Sequence, residues 1–550
     1  MKKFALASII LSATMFSTNQ ELFSAKLEEI KPGFAKNVIV LISDGTPVST
    51  TTLARWVYND GKPLNVDEIV TGMSRTHNSD TAIADSAPAG TAIATGWKTQ
   101  DKLIGVKPAA ATLYGAKEVK EDDKLAPAAS VLEAAKLMGK AVGVIATSEI
   151  THATPADFTA HSTHRNNYSD IGEQQVFQGM NVIFGGGKSF FNPSNDKDDR
   201  SKNRTDGEDM VEAIKNQNYK IVYDVNEMNS VDGEKVWGFF AEKDMDNDLD
   251  RDPKKQPSLA QMTEKAIDLL KKDKDGFFLM VEGSKVDWAS HANSPVAQIS
   301  DYKAFDAAVG VALDYAKKNK DTLVVVTTDH ATGGLTIGNA STSKSYPEHP
   351  IEDFVSVLKK AKATEGAVAK QIVDNKAEAK TLVLEKLGYE LSPEELKEID
   401  SAKNAGAIET ILANGMSSRS RLGWTTNGHT GEDVPFYAYT SNPQDTLSGT
   451  IQNSDIALYM AKAINADLDK VTDELFVSGK KIKAMGIDLK IDNSIVSNPK
   501  FILSKNGKEY TFFENKNYFE VDGKKQDFNG IVIYNEKEVF IPQAALNKIK

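Results

Sequence analysis

The sequence predicts an α/β protein: a mostly parallel central sheet flanked by helices on both faces, with an inserted helical region and a small C-terminal β-rich module. Three observations predict it. Continuous apolar runs recur along the chain with helix-like stretches between them, the pattern of strands buried on both faces. A long stretch late in the chain is rich in Ala, Lys, Glu and Leu. The tail then changes to short β-type segments separated by turn dipeptides.

The chain opens with an address. Lys2 and Lys3 give a positive start, Phe4 to Phe16 is apolar, and Ser24 and Ala25 offer small residues at a cut, although Phe23 suits the position three before it poorly. Residues 1–25 are therefore expected to be a signal peptide, too short to span a bilayer comfortably. The mature chain is expected to be exported, to the periplasm, the cell surface or the exterior, with no transmembrane segment after signal removal. It contains 0 Cys, so core burial and bound metal must do what disulfides do elsewhere.

Residues 26–470 are expected to form the catalytic domain. Its strands are Asn37-Val-Ile-Val-Leu-Ile-Ser43, Ala141-Val-Gly-Val-Ile-Ala146, Gly276-Phe-Phe-Leu-Met-Val281 and Thr322-Leu-Val-Val-Val-Thr-Thr328. Residues 350–415 are its helical insertion, with Ser392-Pro-Glu-Glu395 a good helix start. Residues 490–550 read as a β-rich accessory module with segments 500–504, 510–513, 518–521, 531–534 and 539–541. Asn506-Gly507 and Asp522-Gly523 serve as its hairpin turns. The net charge of −12 argues against gripping nucleic acid or an anionic membrane.

Chemistry-bearing residues gather at strand ends. Asp44 follows the first strand, Glu282 follows 276–281, and Asp329 and His330 follow 322–328. Open α/β sheets bind ligands outside the carboxyl ends of their strands. Any one such Asp alone reads as a turn or cap; three strands delivering acids and imidazole to one edge read as a metal site. Asp287 and His291, four apart, project from one helix face, where a local Asp–His hydrogen bond is the plain alternative. His429 sits in a glycine-flanked loop, Asn427-Gly-His-Thr-Gly431, where it could be simply solvated. Oxygen and nitrogen donors without thiolate suit Zn²⁺, Mg²⁺ or Mn²⁺. Ser86, in Asp85-Ser-Ala-Pro-Ala-Gly90, precedes Thr91-Ala-Ile-Ala-Thr95, which can start a helix. It is either a nucleophile at an anion-binding helix end or that helix's cap. No Gly-x-Ser-x-Gly elbow is present, and no histidine neighbours the serine in sequence.

Six blocks now fall into one order. Ala84-Asp-Ser-Ala-Pro-Ala-Gly-Thr-Ala92 resembles the phosphoserine signature of alkaline phosphatases. Val40-Leu-Ile-Ser-Asp-Gly45, Thr151-His-Ala-Thr-Pro155, Val281-Glu-Gly-Ser-Lys-Val-Asp-Trp-Ala-Ser-His291, Thr328-Asp-His-Ala-Thr-Gly-Gly334 and Gly428-His-Thr-Gly-Glu-Asp-Val-Pro435 resemble its other blocks. The resemblance runs from about 35 to 465.

That resemblance implies hydrolysis of small-molecule phosphate monoesters at two Zn²⁺ and one Mg²⁺, through a phosphoserine on Ser86. Asp287, His291 and His429 would hold the first zinc, and Asp44, Asp329 and His330 the second. Asp44, Thr154 and Glu282 would hold the magnesium. Arg165 would grip the phosphate, a task suited to a planar guanidinium, and His152 and Trp288 would border it. A homodimer is the expected assembly. Two metals about 4 Å apart can clamp both oxygens of an in-line displacement. The best-known bacterial members carry Asp where this chain has His152 and Lys where it has Trp288; the His/Trp pair resembles animal and some marine bacterial members.

Some features are expected to carry no function. Gly185-Gly-Gly-Lys-Ser189 lacks the first P-loop glycine, since position 182 is Val. Asp244-Met-Asp-Asn-Asp-Leu-Asp250 has calcium-loop spacing without the sixth-position glycine. The last ~60 residues loosely resemble the small β domain of copper amine oxidases, in Val521-Asp-Gly523 and Glu538-Val-Phe-Ile-Pro542, and neither copper nor amine oxidation is carried across. The rival readings are a phosphodiesterase or sulfatase of the same superfamily, and a non-catalytic metal-binding surface protein. Asp-Ser-Ala-Pro-Ala lacks the arginine of a sulfatase Cys/Ser-x-Pro-x-Arg setting.

Overall fold

Strand β1 (Asn37–Ser43) is buried along its whole length. Its side chains divide by the two-residue period of a strand. Ile39 and Leu41 enter the core on one face, and Val38, Val40 and Ile42 enter the core on the other. A strand apolar on both faces can only lie inside a sheet covered on both sides, and β1 does. The computed structural model describes residues 27–193, 207–495 and 498–550. The expected signal peptide lies outside the described residues.

The other strands of the large sheet are β2 (Val70–Arg75), β3 (Ala141–Glu149), β4 (Val182–Gly186), β5 (Lys220–Val222), β6 (Val236–Phe239), β7 (Phe277–Gly283), β8 (Thr322–Thr327), β9 (Val434–Tyr439) and β10 (Gly449–Gln452). Their order is β10-β2-β9-β8-β1-β7-β3-β4-β6-β5. All neighbouring pairs are parallel except the two made by β9, which runs antiparallel to β2 and β8. The sheet is therefore mostly parallel, as the sequence predicts. Helices Val48–Tyr58, Leu259–Leu270 and Pro295–Lys318 cover one face. Helices α1 (Ser86–Thr95), Val131–Leu137, α3 (Tyr168–Gln178) and Asn453–Ala463 cover the other, with the short α2 (Ala153–Thr159) between α1 and β7.

β3, β7, β1 and β8 lie side by side and parallel, with Ala146 level with Glu282, Ile42 level with Glu282 and Ile42 level with Thr327. This register brings four strand ends to one edge. Glu282 lies inside β7 rather than after it, one residue before the strand's end. The insertion is helical, with Glu365–Asp374, Ala379–Leu387, Pro393–Ser401 and Ala405–Arg419 as its main helices. Ser392 caps the third of these, its side chain accepting from Glu395 N while the Glu395 carboxylate accepts from Ser392 N. Among the described residues no helix is long and apolar enough to cross a membrane.

The C-terminal strands form two small antiparallel sheets. Five consecutive strands from Asp488 to Asp527 make a meander, and Val477–Ser478, Val539–Ile541 and Ile533–Tyr534 make a three-stranded sheet. The turns at Asn506-Gly507 and Asp522-Gly523 have positive φ at both central residues, 51° and 76°, and 52° and 70°, as two-residue primed turns require. The segment predicted over 531–534 is a strand only at its last two residues. Lys516 anchors this region to the rest of the chain. Its ammonium is buried against the carboxylates of Glu173, on α3, and Glu208, and lies 4.6 Å from the centre of the Phe177 ring. Removing one partner of a buried ion pair strands charge in low dielectric. Lys516→Met is therefore expected to cost on the order of 3 kcal/mol of stability and to leave kcat unchanged. Thermal unfolding beside steady-state kinetics checks both; an unshifted Tm would show that the ion pairs are neutral in net energy.

Candidate functional site

Helix α1 explains where Ser86 sits. Its ten residues are all buried, so the segment shows no amphipathic period and the sequence could suggest a start only at Thr91. The helix begins five residues earlier. Asp85 is the N-cap and Ser86 is the first helical residue, so Ser86 is not the cap. The Asp85 carboxylate makes no capping hydrogen bond and instead accepts from Arg165 Nη1 at 2.6 Å. The other Arg165 nitrogen, Nη2, donates to His152 Nε2 at 2.9 Å. A cap side chain is thus diverted to hold a guanidinium beside the nucleophile candidate. Burial alone would raise the Asp85 pKa, but the charge and hydrogen bond of Arg165 hold it below the usual carboxylate range.

The parallel strands deliver the remaining groups. β1 ends at Asp44, β7 carries Glu282, and β8 runs out to Asp329 and His330. β3 leads to His152 and Thr154 at the start of α2. Gly45 has φ 65°, and a Cβ there would run into the Asp287 side chain, so the turn after β1 closes on helix α4 (Lys285–His291) only because position 45 is glycine. A short antiparallel pair, His429–Thr430 with Ala331–Thr332, brings His429 in from the far end of the chain. His429 is partly buried rather than free in solvent, and its ring stacks on His330 with centroids 3.8 Å apart.

Among the described residues, three groups of side chains offer metal-ligating atoms within 4.8 Å of one another: Asp287, His330 and His429; Asp44, Asp329 and His330; and Asp44, His152 and Glu282. His291 adjoins the first, its Nε2 3.1 Å from His429 Nε2 and 3.3 Å from Asp287 Oδ2. The sets implied by the resemblance overlap with these, and three memberships differ: His330 reaches the first group as well as the second, His291 adjoins the first without being part of it, and His152 joins Asp44 and Glu282 in the third.

The donor set fits metal ions. His291 Nδ1 hydrogen-bonds the carbonyl of Asn427 at 2.6 Å, and His429 Nδ1 that of Ala84 at 2.7 Å. A carbonyl only accepts, so both Nδ1 atoms carry hydrogen, and each ring in its neutral form has its lone pair on Nε2. The two Nε2 atoms face each other at 3.1 Å, which needs a proton or a metal ion between or beside them. Both Asp44 oxygens, Asp329 Oδ2, Glu282 Oε1 and Thr154 Oγ1 are buried without a hydrogen-bond partner, which costs free energy unless a cation binds there. Burial, then the charges of Asp329, Asp287 and Glu282, drive the Asp44 carboxyl well above its usual pKa. Burial pushes Glu282 up to about 8. Asp287 goes the other way: burial opposes ionisation, but the His291 hydrogen bond and the neighbouring imidazoles hold it low. The hydrogen bond His291 donates to the Asp287 carboxylate raises His291 to about 9.

Ser86 Oγ lies 3.2 Å from His330 Nε2. Nothing in the sequence placed a histidine beside this serine, because the two are 244 positions apart. His152 is buried, and burial with the Arg165 cation lowers it to about 3, so it is neutral. Its ring meets Trp288 edge-on at 5.6 Å, and the Lys285 ammonium lies 4.2 Å from the Trp288 ring centre while pairing with Asp244. A file of side chains, Lys285, Trp288, His152, Arg165 and Asp85, therefore braces the guanidinium. Sequence reasoning missed Asp85 and Lys285 as supports, although both stand inside the blocks it singled out. Gly185 and Gly186 end strand β4, and Lys188 pairs with Glu242. Asp244 is taken by Lys285 and Asp250 by Thr364.

A family model described as alkaline phosphatase matches residues 35–466. Alkaline phosphatase 3 of Bacillus subtilis is 38% identical over 500 residues, covering 86% of this chain and 100% of the relative. The repressible alkaline phosphatase of Saccharomyces cerevisiae is 32% identical, covering 80% of this chain and 83% of the relative. Among solved structures, a cold-active alkaline phosphatase from a psychrophilic Shewanella superposes with a TM-score of 0.67 at 28% identity, over 78% of this chain and 99% of that one. A His-to-Asp mutant of the Antarctic TAB5 alkaline phosphatase, with Mg bound in its M3 site, superposes with a TM-score of 0.55 at 26% identity, over 80% of this chain and 99% of that one.

Proposed function

The chain belongs to the alkaline phosphatase family and hydrolyses phosphate monoesters, and we propose that it does so through a phosphoserine on Ser86, in a site that holds two Zn²⁺ and one Mg²⁺. The single observation that carries this reading is the placing of Ser86 at the first position of α1, next to the Asp85 that holds Arg165 and with its Oγ 3.2 Å from His330 Nε2 in the ligand cluster.

Asp287, His291 and His429 would hold one zinc, and Asp44, Asp329 and His330 the other. Asp44, Thr154 and Glu282 would hold magnesium, with His152 at its border. Bound metal supplies positive charge that lowers the pKa of the serine hydroxyl and of the departing alcohol. The chain's own residues do the rest. Arg165, fixed by Asp85 and His152, offers two N–H groups to the phosphate oxygens. The α1 N-terminus adds backbone N–H groups and the positive end of its dipole. Ser86 Oγ attacks phosphorus as the bond to the alcohol oxygen breaks. Water then attacks the phosphoserine, and inorganic phosphate leaves with Ser86 restored. Export and a homodimer belong to the same proposal and rest on the family resemblance.

A second reading has one observation in its favour. His330 accepts from Ser86 and is backed through Thr332 by Asp287, so it could serve as a metal-free general base. Hydrolysis of a chromogenic phosphate monoester, beside a diester and a sulfate ester, with and without chelator, separates the readings. Monoester turnover that vanishes with metal supports the proposal, and turnover that survives supports the second reading.

His152 and Trp288 set a further expectation. His152 meets Arg165 as a neutral acceptor, and Trp288 brings no charge of its own. His152→Asp with Trp288→Lys would add a carboxylate to the arginine and an ammonium near the phosphate. Such a cation binds phosphate in the ground state as well as in the transition state. The double variant is expected to tighten inhibition by inorganic phosphate roughly tenfold, about 1.4 kcal/mol, and to lower kcat where product release limits turnover. The phosphate inhibition constant checks it; an unchanged or weaker constant in a folded double variant refutes it. The TAB5 His-to-Asp mutant with Mg in its M3 site shows that a carboxylate in place of a histidine can accompany bound Mg in a related enzyme.

A further inference from the structure

Thr332 is completely buried on the short strand paired with His429–Thr430. Its Oγ1 lies 2.6 Å from Asp287 Oδ1 and 3.2 Å from His330 Nδ1. A hydroxyl carries one proton and can accept two hydrogen bonds. Of the two contacts, the 2.6 Å one to the Asp287 carboxylate oxygen is the one the hydroxyl donates, so the Thr332 proton goes to Asp287. The hydroxyl must then accept at its other contact, which puts the His330 proton on Nδ1. His330 Nε2 is left with a lone pair, 3.2 Å from Ser86 Oγ, 3.5 Å from Asp44 Oδ1 and 3.3 Å from Asp329 Oδ2.

His291 and His429 obtain the same tautomer from main-chain carbonyls, one each. His330 obtains it from a side chain that is simultaneously bound to a ligand of the other metal group. We propose that Thr332 is a positioning residue that ties the two zinc groups together, orienting Asp287 in one and His330 in the other through a single hydroxyl. This rests on the metal reading under Proposed function. It goes beyond that reading by assigning cooperation between the two sites to one side chain that ligates neither. Partners that orient a ligand typically change metal affinity 10–100-fold when lost.

The test uses the full-length protein stripped of metal and titrated with zinc against a chromogenic chelator. Thr332→Val keeps the branched shape and loses the hydroxyl, and Thr332→Ser keeps the hydroxyl and loses a methyl. Thr332→Val is expected to weaken both zinc ions together, by roughly 10–100-fold, while Thr332→Ser stays near wild type. Wild-type zinc affinity at both sites in Thr332→Val overturns the inference, and so does loss confined to one site. A wild-type protein that takes up no zinc overturns the metal reading itself, which is a different result. A measurement on the wild type alone covers the case in which the valine variant does not fold. The ¹⁵N shifts of the His330 ring in metal-free protein should report hydrogen on Nδ1, and hydrogen on Nε2 overturns the inference.

Discussion

Ser86→Ala is expected to lose turnover by roughly 10⁴- to 10⁶-fold, the range seen when a covalent nucleophile is removed from a site whose other groups stay in place. The protein should keep its fold and its metal. Ser86 is the first residue of α1 and contributes no cap, since Asp85 holds the N-cap position. The substitution therefore removes one hydroxyl that is 2% exposed and whose partner is His330 Nε2. Its stability cost should not exceed about 1 kcal/mol, the scale of a lost cap or a single neutral hydrogen bond. Steady-state turnover of a monoester and zinc content, measured on one preparation, check both halves. Near-wild-type kcat in a variant with full zinc would remove Ser86 from the chemistry and return attention to water activated at His330.

Removing metal is expected to abolish monoester hydrolysis, with zinc restoring it and magnesium adding a further gain. The physical case is the unmet charge of the site. Asp44, Glu282, Asp287 and Asp329 converge in the interior, Asp44 and Glu282 are driven toward protonation by burial, and the Nε2 atoms of His291 and His429 face each other at 3.1 Å. Such a cluster is costly without cations. Metal should therefore stabilise the fold as well as the reaction. A ligand at 1,000 times its Kd adds about 4.1 kcal/mol, so the metal-free protein should melt measurably lower. Full activity after exhaustive chelation, verified by metal analysis, would sink this reading and favour the His330 base.

The sequence carried the strand-borne part of this arrangement because its signals are local. Uninterrupted apolar runs identify β1, β7 and β8, and the polar residue that ends each run has nowhere to go but the sheet edge. That places Asp44, Glu282 and Asp329 together before any contact is known. The i, i+4 spacing of Asp287 and His291 is equally local. His429 was legible only through family resemblance, since a glycine-flanked histidine has no period to read. Two things were not legible. The start of α1 was missed because a helix buried on every side has no polar face. The pairing of His330 with Ser86, and of Thr332 with Asp287, depends on contacts between segments 244 and 45 positions apart. The first strand of the C-terminal three-stranded sheet, Val477–Ser478, was missed for a related reason. It is two residues long and gains its partner, Val539–Ile541, only after about sixty more residues.

The order of the sheet also constrains how the protein is made. β1 is the first strand to be synthesised, yet it lies in the interior of the sheet, and both its neighbours come late: Val38 pairs with Phe278, and Asn37 pairs with Thr322. At translation speeds of 5–20 residues per second, β1 waits roughly 15 seconds to a minute for β8 to emerge. Throughout that interval its backbone lacks both native strand partners, and closing so long a loop is entropically costly and slow. The same delay keeps Asp44 apart from Glu282, Asp329 and His330 until β8 arrives, so the ligand set cannot assemble before about 330 residues of the chain have been made.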